Sequence, residues 1–87
     1  MLGELYNYLD DMSYEDAVLE ITTIDNEVFT GFSLCDDEGE DDMAWCFKDV
    51  KGVPYSIIYL KDIATVRKVG ESEYAYVAED YQLAKAI

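Results

Sequence analysis

From Ala17 onward the apolar residues of this chain fall into runs of six to nine, divided by polar breaks of two to seven residues. Runs of that length are strands. Breaks of that length are turn-sized connections, so a mainly antiparallel arrangement is expected. Residues 17–24 are mostly β-branched or aliphatic, Asp25-Asn26 supplies turn chemistry, and residues 27–35 resume with Val28, Phe29, Thr30 and Phe32. That is a hairpin. Val28, Thr30, Phe32 and Leu34 share one face of its second arm, with Gly31 on the other, where a missing side chain permits a sharp bend or close backbone approach. A third strand is expected over residues 43–48 and a fourth over 53–60, with Pro54 near its start. Lys61-Asp62-Ile63 breaks the pattern for one turn before a fifth strand at 64–69.

The ends of the chain read differently. Leu2, Leu5, Tyr6 and Leu9, with Met12 after them, fall on one helical stripe, so residues 2–12 are expected to form an amphipathic helix. Ser13 and Asp16 have capping-box spacing, which would open a further helical turn. After Gly70, Ser72 has the chemistry to cap a C-terminal helix stacking Tyr74, Val77, Tyr81 and Ala84, while residues 74–77 also suit an extended strand. Both readings stand on sequence alone. The whole, residues 1–87, makes one small acidic domain with its barrel at about 17–70. At that length only about 60–65% of the unfolded chain's surface can be buried, so the core is thin.

The order helix, then five short strands with a one-turn break before the last, resembles that of Sm-like and SH3-like small barrels over about residues 2–70. Residues 59–66 (Tyr-Leu-Lys-Asp-Ile-Ala-Thr-Val) look like the strand-turn-strand closure of bacterial Sm-like and YolD-like proteins, and Gly31 falls where Sm-like second strands bend. The resemblance implies a mainly β fold, a five-stranded antiparallel barrel with an N-terminal helix. It also implies rings that bind RNA. Against that function, the chain has no His, no arginine-glycine pair in the closing segment, and acid where a basic face is needed.

Charge is the second constraint. Residues 1–47 carry fourteen acids and no base, whereas 48–87 carry six of each, so the net charge of −14 belongs to the first part. Nucleic-acid binding rests on Lys and Arg neutralising phosphates, and a polyanion opposes it. No apolar run approaches the roughly 20 residues that span a bilayer, and Met1-Leu2-Gly3-Glu4 lacks the basic start of a secretion signal. The expectation is a cytoplasmic protein without membrane contact. Cys35 and Cys46 are too few for a secreted disulfide framework and fit no metal spacing. They read as reduced, small buried hydrophobes, or as a disulfide or redox pair if the chain between them folds back.

Six carboxylates crowd into seven residues at Asp36, Asp37, Glu38, Glu40, Asp41 and Asp42. As a calcium loop the segment fails, because setting Gly39 at the sixth EF-hand position makes Leu34 the first ligand and Trp45 the twelfth. A solubilising loop or an acidic docking surface remains, the latter joined by Asp10, Asp11, Glu15, Asp16, Glu20, Asp25 and Glu27. Trp45, beside the segment, is either an interfacial anchor or core. Eight tyrosines together suit a binding surface, whereas singly Tyr55, Tyr59, Tyr74, Tyr76 and Tyr81 read better as lining the barrel and covering its ends. Catalysis finds no His, no nucleophile elbow and no phosphate loop, and neither a metal nor a cofactor is called for. The sequence therefore points to a non-enzymatic protein whose partner is basic, such as a nucleic-acid-binding protein whose site it would occupy as a mimic. In charge and size it resembles phage-encoded anti-restriction and anti-CRISPR inhibitors. The alternative is a self-assembling Sm-like homo-oligomeric ring with a structural or ligand-sequestering role.

Overall fold

The computed structural model describes residues 2–36, 43–51 and 55–78. Helix α1 spans Leu2–Glu15, and its inward stripe is Leu5, Leu9 and Met12, all buried. No second helical turn opens at Ser13. Its hydroxyl donates back to the Asp10 carbonyl (2.6 Å), one turn earlier in the same helix, which runs unbroken to Glu15. It stops at Asp16, whose φ of 54° is the left-handed conformation that ends helices.

Six strands follow: β1 (Val18–Thr23), β2 (Val28–Asp36), β3 (Ala44–Asp49), β4 (Ser56–Tyr59), β5 (Ile63–Lys68) and β6 (Tyr76–Val77). A 3-10 turn, Leu60–Asp62, joins β4 to β5 at the expected break. All strands belong to one antiparallel sheet in the order β4-β3-β2-β1-β5-β6. The turn is tied at both ends: the Leu60 N–H donates to the Met43 carbonyl (3.0 Å), and the Asp62 carbonyl accepts from the Ile24 N–H (2.9 Å). The β1–β2 connection closes through Asn26 at φ 67°, with its N–H on the Thr23 carbonyl (2.9 Å).

The core lies between α1 and the sheet: Leu19 and Ile21 from β1, Trp45 and Phe47 from β3, Leu60 from the turn, and Ile63 and Val66 from β5. On β2 the inward face is Phe29, Gly31 and Ser33, while Val28 stands exposed and Phe32 and Leu34 half-buried. The more apolar face of that strand is thus the outer one. The reason is steric: α1 packs on β2, where the small Ser33 meets the Leu9 carbonyl, and at Gly31 neighbouring groups of the sheet fill the space a side chain would need. Gly31 admits the Phe29 ring at 2.6 Å from where a Cβ would stand, and the Lys48 carbonyl lies closer still.

The C-terminal segment resolves into the extended alternative over its described part. Residues 72–78 are not helical. Ala75 N–H donates to the Val66 carbonyl (2.8 Å) and Ala78 N–H to that of Ala64 (2.7 Å), which gives the outer edge of β5 partners it would otherwise lack. Tyr81 and Ala84 of the expected helix lie outside the described residues.

Candidate docking surface

Because Leu5, Leu9 and Met12 take the inward face of α1, a 3.6-residue period puts Glu4, Asn7, Asp10, Asp11, Tyr14 and Glu15 outside, and all six are exposed. Asp16 at the helix end is exposed too, as are Asp25 and Glu27 in the first hairpin turn. Tyr14 stands 83% exposed among these acids.

Two acids of the first half find bases from the second half. Glu20 and Arg67 are direct cross-strand partners on β1 and β5, 2.7 Å apart, and the guanidinium also stacks over the Tyr74 ring at 5.2 Å. Glu15 reaches Lys68 at 3.5 Å. Glu4, Asp10, Asp11, Asp16, Asp25 and Glu27 make no ion pair among the described residues. The Tyr8 phenol is pushed above its usual range by burial, with Glu71 and then Glu15 adding repulsion against a phenolate.

Of the six carboxylates of the acidic segment the structure describes Asp36. Tyr6 donates its hydroxyl to Asp36 Oδ2 (3.2 Å), so the chain leaves β2 beside the second turn of α1. Asp37, Glu38, Glu40, Asp41 and Asp42 lie outside the described residues. Trp45 takes the core role and not the anchor role: it is 1% exposed, its indole N–H donates to Ser33 Oγ (2.7 Å), and the Tyr6 ring meets it edge-on at 5.1 Å. A ring so enclosed offers a partner nothing to grip. The acids on α1 are legible in sequence once the helical stripe is drawn, since they are what remains opposite Leu5, Leu9 and Met12.

Among the described residues no group of three or more His, Cys, Asp or Glu side chains is placed to hold a metal ion, and no helix is long and apolar enough to cross a membrane. No protein-family model, curated protein or solved structure matches the chain.

Proposed function

We propose that this chain is a non-enzymatic docking protein whose acidic face occupies a basic, nucleic-acid-binding surface of another protein. The observation that carries this reading is the segregation of charge: fourteen acids and no base before Lys48, with the described acids of α1 on its solvent side and, Glu15 apart, in no ion pair among the described residues. Like charges left together on a surface cost stability, and what they supply in return is long-range attraction to a surface of opposite sign.

The scaffold we propose for that face is a rolled, barrel-like sheet. In a flat sheet four strand spacings of roughly 4.8 Å would hold β4 about 19 Å from β5. The link between Tyr59 and Ile63 spans at most about 14 Å even fully extended, and part of it is a compact 3-10 turn. Only curling brings the two strands within reach. Edge-to-edge assembly into a ring has less support, because β6 already occupies the outer edge of β5.

The test begins by capturing a partner on the immobilised chain from host lysate and then challenging the complex with duplex DNA. DNA and chain should displace one another, and high salt should release the partner. Changing Asp36, Asp37, Asp41 and Asp42 to Asn, or Glu4, Asp10 and Asp11 to their amides, should slow association while leaving folding intact. Simultaneous binding of DNA and chain to the captured protein, or unchanged association rates at low salt, would refute the reading. A hexamer or heptamer in solution would favour the ring instead.

A further inference from the structure

β2 and β3 run in regular register as far as Ser33 opposite Phe47 and then slip by one, so that Cys35 faces Cys46 and Asp36 faces Trp45. Without the extra residue, Leu34, the same ladder would set Leu34 against Cys46 and Cys35 against Trp45. The bulge therefore creates the cysteine pair. Directly opposed residues on antiparallel strands project to the same face, with Cα atoms roughly 4.5 or 5.5 Å apart according to the type of pair. Disulfides use Cα separations of roughly 4.4–6.8 Å. That shared face is the outer one, because Trp45, next to Cys46, points into the core, and Asp36, next to Cys35, turns toward Tyr6. Cys35 is exposed and Cys46 half-buried.

We propose that Cys35 and Cys46 form a cross-strand dithiol that a small-molecule disulfide oxidises to an intramolecular bridge. The Cys35 thiolate, the more accessible, attacks one sulfur of the oxidant and expels the other as a thiolate, leaving a mixed disulfide on Cys35. Cys46, held opposite as a thiolate, then attacks the Cys35 sulfur and expels the second half of the oxidant. The protein loses two electrons and two protons, and the oxidant becomes two thiols. The bridge closes the chain around residues 36–45, and it does not depend on the docking reading.

Equilibration of the purified full chain with mixtures of oxidised and reduced glutathione, read by intact mass, decides the matter. The expected product is a monomer lighter by two hydrogens, with more than half the protein bridged in excess oxidised glutathione and a higher urea midpoint than the reduced form. Cys46→Ser should stop at a glutathione adduct on Cys35, and Cys35→Ser should give no bridge, both with wild-type circular dichroism. Persistence of two thiols, stable adducts on the wild type, or disulfide-linked dimers in place of the bridge would overturn the proposal. Because the readout needs no partner, its failure is separate from failure of the docking reading. Loss of competition with DNA in the assay above would leave the bridge standing.

Discussion

The Ser33 hydroxyl joins three elements. It donates to the Leu9 carbonyl on α1 (2.6 Å) and accepts from the Trp45 indole on β3 (2.7 Å), and both Ser33 and Trp45 are buried. Ser33→Ala removes two neutral hydrogen bonds, each contributing about 1 kcal/mol, and strands a buried indole N–H, for a total of about 2–3 kcal/mol. Trp45→Phe removes one of the same bonds and leaves a ring roughly 40 Å³ smaller, which at about 24 cal/mol per Å³ adds about 1 kcal/mol, for a total of about 2 kcal/mol. The double variant has no indole left to strand and loses the shared bond once. Its cost should fall short of the sum by about 1–2 kcal/mol. A domain of this length typically holds about 4–13 kcal/mol in all, so each single variant should show a large drop in urea midpoint. Unfolding should be followed by far-UV circular dichroism, because Trp45 is the chain's single tryptophan and its fluorescence disappears in two of the four proteins. Additivity within about 0.3–0.5 kcal/mol would mean that the two side chains do not act through one another and would refute the linkage.

Two further outcomes are expected. Gly31→Ala should destabilise by about 2–4 kcal/mol in the same urea assay, since a Cβ there meets the Phe29 ring at 2.6 Å and, nearer still, the Lys48 backbone carbonyl, which cannot swing aside; a loss below about 1 kcal/mol would show that the strands separate easily. Tyr8, whose phenol titrates above its ordinary value in the folded state, contributes a stabilisation that is complete below about pH 10 and is lost as pH rises through the raised value. Tyr8→Phe should therefore lose less stability than the wild type over the alkaline range, and parallel pH profiles would count against that environment.

Strand positions were legible because their signal is local. The breaks at Asp25-Asn26 and Lys61-Asp62, and residues 49–51 of the break that runs to Gly52, fall in or beside turns of the structure, and the run lengths between them left little freedom. Which face of β2 is buried was not legible. Counting apolar groups favours Val28, Phe32 and Leu34, yet the strand turns Gly31 and Ser33 inward, because the Phe29 ring and the Lys48 carbonyl crowd Gly31 while Ser33 meets α1 and receives the only tryptophan's N–H. Hydropathy registers the side chain and not the volume its neighbour requires. Trp45 was ambiguous for a related reason: its run, Met43 to Lys48, is apolar on both faces, and only the partner at Ser33 fixes which face looks inward. The cysteine register was invisible too, since a bulge of one residue has no signature in a strand without glycine or proline there.

The pairing of β1 with β5 gives the charge asymmetry its structural meaning. It sets the wholly acidic first half of the chain beside the strand that carries Arg67 and Lys68, and those two bases are spent on Glu20 and Glu15. Glu20 lies on the sheet and is half-buried, where an unanswered carboxylate would be partly desolvated and costly, whereas Glu15 is exposed at the helix end. Among the described residues no base does the same for Glu4, Asp10 or Asp11 on the outer face of α1. Solubility alone would be met by acids and bases interspersed over the surface. Acid answered at Arg67 and Lys68, with Glu4, Asp10 and Asp11 left together on a solvent face, is what the proposed docking role requires: a field directed at a basic partner. Such a field steers encounters with a basic surface, which is why substitution of these acids should appear in the association rate before it appears in stability.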